Sequence, residues 1–129
     1  MAISNIHETL LMYTKQKSLI NAELSNVMFN MLQATKKNAE MQRDYNGKLQ
    51  DAYYDPEYGY GTDEYMIIIE NFENEHEYEL ANLNSWESEL EIEKNNLETR
   101  LNEITSFESS WQKLLQSNIK NDFSYGGGR

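Results

Sequence analysis

The stretch DAYYDPEYGYGT (51–62) divides the chain into two long segments that hold almost nothing to break a helix. Pro56 disfavours helical geometry at Asp55, and Gly59 and Gly61 tolerate positive φ. Of the six glycines and one proline, all but Gly47 fall within 56–61 or 126–128. The bend is therefore placed at 51–62, with one helix on either side.

Before the bend, residues recur with a 3-4 spacing. The a positions are Ile3, Leu10, Lys17, Leu24, Met31, Asn38, Tyr45 and Ala52. The d positions are Ile6, Tyr13, Ile20, Val27, Ala34, Met41 and Lys48. This is a coiled-coil seam with polar interruptions at Lys17, Asn38 and Lys48. It predicts a helix over about 4–50, started by Asn5 (or Ser4) as N-cap with Glu8 in the reciprocal capping position.

After the bend, Thr62 is placed to cap a second helix, with Asp63 and Glu64 in its first turn, where negative charge suits the helix dipole. Its d positions are His76, Leu83, Leu90, Leu97, Ile104, Trp111 and Asn118; its a positions are Leu80, Glu87, Lys94, Leu101, Glu108 and Leu115. The pattern runs to about 122, and the Gly-rich tail 123–129 ends it. The expected fold is all-α: one domain over 1–129, a long antiparallel two-helix coiled-coil hairpin, part of a larger helical assembly.

A bend centred near residue 56 or 57 gives a register in which facing residue numbers add to about 113. Glu77 then lies opposite Lys36, Glu70 opposite Arg43, and Glu64 near Lys48. The same register leaves the end of the second helix, with Leu114, Leu115, Ile119, Phe123 and Tyr125, overshooting the first.

Composition narrows the function. Mean hydropathy is -0.80, as an elongated helical form with a narrow apolar seam requires. Net charge is -11, split between six basic and four acidic residues in 1–50 and five basic and eighteen acidic residues in 51–129. Residues 63–93 hold eleven acidic side chains and no basic one. That field repels phosphate backbones and argues against nucleic acid or an anionic membrane as partner. No apolar run approaches the roughly 20 residues that span a bilayer. The N-terminus lacks a basic region before an apolar one and carries Glu8, so no cleavable signal peptide is expected. The protein is read as cytoplasmic or exported by a leaderless route.

Catalytic and ligand chemistry finds little support. Cysteine is absent, which removes thiolate catalysis and Cys-based zinc sites. His7 and His76 fall far apart in a hairpin, and no Ser/His/Asp grouping can be drawn around either. Glu73, His76 and Glu77 share one helical turn, but a bundle metal site needs further carboxylates from facing helices. Asp51, Asp55, Glu57 and Asp63 lack the spacing of a helix-flanked calcium loop. GYG (59–61) lacks the lysine and the preceding strand of a phosphate cradle. Trp86 and Trp111 read as core. The sequence predicts no enzyme, cofactor, metal or small-molecule substrate.

Two segments carry more apolar side chains than one seam can bury. VMFNML (27–32) and YMIII (65–69) are apolar nearly all round the helix, and a helix apolar on every side is buried on every side. The candidate interface is therefore Val27, Met28, Phe29, Met31, Leu32, Met66, Ile67, Ile68, Ile69, Leu114, Leu115, Ile119 and Phe123. The bend adds Tyr53, Tyr54, Tyr58 and Tyr60, which either fold back over the hairpin end or form a contact tip. The expected partner is a second copy or another helical protein.

In its short, cysteine-free, two-helix layout the chain resembles leaderless proteins of bacterial export systems, namely type III secretion needle and filament subunits and their chaperones. Secreted hairpins of the WxG type are similar as well, although GYG (59–61) stands in this chain where they carry W-x-G. The resemblance spans the chain as architecture and carries no functional residue across. It implies a structural, self-assembling subunit of a filament, tube or helical bundle. The alternative it implies is a cytoplasmic chaperone or adaptor that binds a helical client.

Overall fold

A computed structural model describes the backbone of residues 2–127 and the side chains of residues 2–121. Two helices account for nearly all of it: α1, Ile3–Tyr53, and α2, Asp63–Gly127. They pack against each other as an all-α helical hairpin. By compactness the hairpin divides into two units. Met28–Ile92 contains the bend, and the residues up to Val27 with those from Glu93 onward contain the open end.

The buried side chains follow the heptad closely. In the unit with the open end, Ile6, Ile20, Val27, Leu97 and Ile104 are buried. In the unit with the bend, Ala34, Ala52, Leu83 and Leu90 are buried. All but Ala52 occupy d positions, so where the seam is fully buried, at 20–34 on α1 and 83–104 on α2, each helix commits one residue per two turns to the core. The a positions Leu10, Leu24, Met31, Leu80 and Leu101 are half-buried beside them. This geometry is that of a two-stranded seam, in which d side chains point inward and their a neighbours lie along its edge.

One pair of polar a positions is joined across the seam. Lys17 Nζ donates to Glu108 Oε1 at 3.1 Å, both side chains part-buried. A lysine and a glutamate at facing a positions fix orientation and register, because sliding either helix leaves each charge without its partner. Next to them Tyr13 stacks on Phe107, with ring centroids 6.3 Å apart. In the bend unit Tyr45 stacks almost flat on His76 at 4.0 Å and 5°. His76 is thus a packed seam residue, its ring held by an aromatic neighbour. Lys48 lies 5.6 Å over the Phe72 ring and 4.0 Å from Glu75 Oε2.

These pairs correct the register. Facing numbers add to 120 and 125 for Tyr13–Phe107 and Lys17–Glu108, and to 121 and 123 for Tyr45–His76 and Lys48–Glu75, rather than about 113. Lys48 meets Glu75 and not Glu64. The ion pairs expected for Lys36–Glu77 and Arg43–Glu70 do not form among the described residues. The cause lies at the bend. The first helix keeps Asp51, Ala52 and Tyr53, while Tyr54 to Thr62 make the turn, so the two helices do not stop at the same level.

Both helix starts can be compared with expectation. Thr62 caps α2 as anticipated: its Oγ1 accepts from Tyr65 N at 3.1 Å and donates to Gly59 O at 2.8 Å. Asp63 and Glu64 lie in the first turn. The start of α1 differs. Asn5 N and Ile6 N donate to Ala2 O at 3.1 and 3.2 Å, so Asn5 is already inside the helix and the carbonyl of Ala2 opens it. At the other end α2 runs to Gly127 rather than stopping near 122. Glycine costs helix propensity, about 1 kcal/mol relative to alanine, but does not clash as proline does. Of the expected overhang and tail, the side chains of Phe123 and Tyr125 and the residues 128 and 129 lie outside the described residues.

Two substitutions test this packing. Lys17→Glu should lower the unfolding free energy by roughly 1–3 kcal/mol, by placing two carboxylates in one part-buried site. Adding Glu108→Lys to it should restore most of that loss in urea denaturation. Equal destabilisation by the single and double variants contradicts the Lys17–Glu108 register.

Candidate functional site

The bend is built from backbone-determined parts. Tyr54 N still donates to Gln50 O at 3.2 Å, continuing the helical pattern. Asp55 then turns the chain, its Oδ1 accepting from Tyr58 N at 2.8 Å and from Glu57 N at 2.9 Å. This is the local side-chain-to-backbone bonding by which Asp initiates turns. Those two N–H groups, Tyr58 first and Glu57 second, hold the Asp55 carboxyl below its ordinary value. Tyr60 N returns to Tyr53 O at 3.2 Å, and Thr62 N bonds Gly59 O at 3.2 Å.

Two glycines are required for different reasons. Gly59 is buried, and a Cβ there would meet the carbonyl oxygen of Asp55 and, at 2.9 Å, that of Tyr53. Gly61 has φ +98, a conformation that L side chains rarely adopt.

The tyrosines gather on this frame. Tyr53 stacks on Tyr60 at 5.0 Å, and Tyr54 meets Tyr53 edge-on at 4.9 Å. Tyr65 meets both Tyr53 and Tyr60 edge-on, at 6.4 and 5.8 Å. The rings do fold over the hairpin end, yet Tyr54 and Tyr60 remain 71% and 69% exposed. Tyr53 and Tyr58 are exposed as well. The cluster closes the end of the seam and presents aromatic surface together.

The apolar bands divide between seam and surface. Val27 is buried in the seam, so it offers nothing outward. Met31, Ile68, Ile69 and Leu115 are half-buried. Met28, Phe29, Leu32, Met66 and Ile67 are exposed, between 52% and 68%. Leu114 and Ile119 are exposed less fully. In VMFNML the split follows the heptad, since Val27 and Met31 hold d and a positions. Further exposed apolar residues were not anticipated: Leu11, Met12, Leu19, Tyr78, Ile92 and Phe107. Their signal was available, since each is a large apolar residue outside the a and d positions.

Neither tryptophan is fully buried. Trp111 is half-buried. Trp86, also half-buried, lines an open groove of about 530 Å³ with Met41 and Leu83 as apolar floor and Lys37, Glu40, Asp44, Glu79 and Asn82 around it. The groove arises because α1 has no buried residue between Ala34 and Ala52. Among the described residues no group of three His, Asp or Glu side chains is arranged to hold a metal ion. Among them, no helix is long and apolar enough to cross a membrane.

No family model, no curated protein and no solved structure matches the chain.

The bend yields a prediction in pH. The Asp55 carboxylate is held below its ordinary pKa, so its contribution to turn stability is fully present above the unfolded value of about 3.9. It is lost as pH falls through the lower, folded value. The protection of the Tyr58 amide, taken as its exchange relative to the intrinsic rate at each pH, should fall over that acidic window in the native protein, and Asp55→Asn should abolish that step. Gly59→Ala should disturb the same turn at every pH, read as loss of the near-ultraviolet tyrosine dichroism. An unchanged tyrosine signal in that variant contradicts the close backbone packing at Gly59.

Proposed function

We propose that the chain is a structural subunit that self-assembles through the outer surfaces of its hairpin. One observation carries this reading. Among the described residues, seventeen large hydrophobic side chains are exposed, while nine apolar residues make up the core. Scattered exposed hydrophobes are ordinary, but in this chain the exposed set is larger than the buried one. It is also grouped, at Met28–Phe29–Leu32, at Met66–Ile67 and at the tyrosine tip. Apolar groups of this kind mark contact surfaces, because removal from water stabilises them by about 25 cal/mol per Å².

A seam of one residue per heptad also leaves a two-helix protein with a small core. Small domains of this kind depend on further burial, and association supplies it. The charge split adds direction, since an acidic α2 on one copy is complementary to the more basic α1 on another. Such a subunit performs no catalysis; it acts through the surfaces of its hairpin.

An adaptor that binds one helical client is the alternative, and the acidic walls of the Trp86 groove are what favour it. Sedimentation velocity over a range of concentrations, with electron microscopy of the concentrated sample, separates the two. Self-assembly predicts species that grow with concentration and shift when salt is raised. A monomer at all concentrations, purifying with one stoichiometric client, contradicts self-assembly and supports the adaptor.

A further inference from the structure

We infer that a second copy docks side by side and level with the first, the outer face of α1 against the outer face of α2, within the unit that holds the bend. This deepens the self-assembly reading and rests on it. Positions two residues after each d lie roughly 200° around the helix and so point away from the seam. On α1 they are Phe29, Lys36 and Arg43; on α2 they are Tyr78, Ser85 and Ile92. In a simple hairpin these would be wholly polar. Instead Phe29 is 59% exposed, Ile92 60% and Tyr78 69%.

The two outer faces match in height and in chemistry. With facing numbers near 121, as for Tyr45 and His76, Phe29 lies level with Ile92, Lys36 with Ser85, and Arg43 with Tyr78. A neighbour in the same orientation and at the same height therefore brings α1 of one copy antiparallel to α2 of the next. Phe29, flanked by Met28 and Leu32, then meets Ile92. Arg43 comes over the ring of Tyr78, a favourable cation–π arrangement, and Lys36 comes within a turn of Glu89.

Charge selects this pairing over others. In this unit α1 carries Lys36, Lys37, Arg43 and Lys48 against Glu40, Asp44 and Asp51, whereas α2 from Asp63 to Ile92 has ten acidic residues and no basic one. Two α2 faces repel, and two α1 faces forgo the attraction. Each copy offers one face of each kind, so the contact is heterologous and propagates as an open row.

Two variants test it. Phe29→Asp with Leu32→Asp spoils the α1 face, and Tyr78→Asp with Ile92→Asp spoils the α2 face, the two spoiled faces repelling each other. All four positions are exposed, so both proteins should keep wild-type helicity and melt as the dilute, unassociated wild type does. Each variant alone should be monomeric, its association weakened tenfold or more, while their equimolar mixture forms a one-to-one dimer that does not grow. Dimerisation of the α2-face variant by itself would mean an α1–α1 contact and overturns the inference. So does wild-type assembly by either variant, an outcome that leaves self-assembly standing. A wild-type protein that stays monomeric removes both this inference and the reading beneath it.

Discussion

One side chain per heptad from each helix is what holds this hairpin together, and most of the remaining structure follows from how narrow that contact is. Ile20 and Val27 on α1, and Leu83, Leu90, Leu97 and Ile104 on α2, mark the seam at intervals of seven. A stripe this thin cannot set its own register strongly, because apolar side chains repeat and a slip by one heptad buries a similar set. The Lys17–Glu108 pair removes that degeneracy. It contributes specificity more than net stability, since part of its attraction is offset by the water both groups give up.

The bend fixes the other boundary by backbone means. Asp55 ties down two amides, Gly59 allows the chain to pass against the carbonyls of Tyr53 and Asp55, and Thr62 opens α2. The tyrosines close the turn by stacking on one another, which is why a cluster of rings can seal the end of a seam and stay largely in solvent. Local hydrogen bonding sets where α1 stops and α2 begins. Those two levels in turn decide which residues meet along the unit that contains the bend.

The hairpin and its d-position core were legible because they depend on spacing, and spacing is written directly in the chain. Thr62 was legible for the same reason: a threonine before Asp-Glu and an apolar run has one obvious role. The register was not. Pro56 shows that the helix is broken nearby but not that α1 keeps Tyr53 or that the turn takes Tyr54 to Thr62, and that difference moves the pairing by about two turns. The set of exposed apolar side chains was partly legible. Phe29, Leu32, Met66 and Ile67 stand outside the seam as expected, while Val27 belongs to it, because a d position outranks membership of an apolar run. Tyr78 and Ile92 escaped notice because each is a single apolar residue among glutamates and polar side chains, and only its angle from the seam reveals it.

For a self-assembling subunit, the hairpin's own seam is only part of the apolar burial available to it, the rest being made between copies. Thermal unfolding at protein concentrations spanning several orders of magnitude tests this directly, since association that binds the folded form raises the melting temperature with concentration. The expected midpoint climbs steadily as the protein is concentrated and loses that dependence when Phe29 and Ile92 are made charged. A midpoint independent of concentration over the whole range would contradict burial between copies.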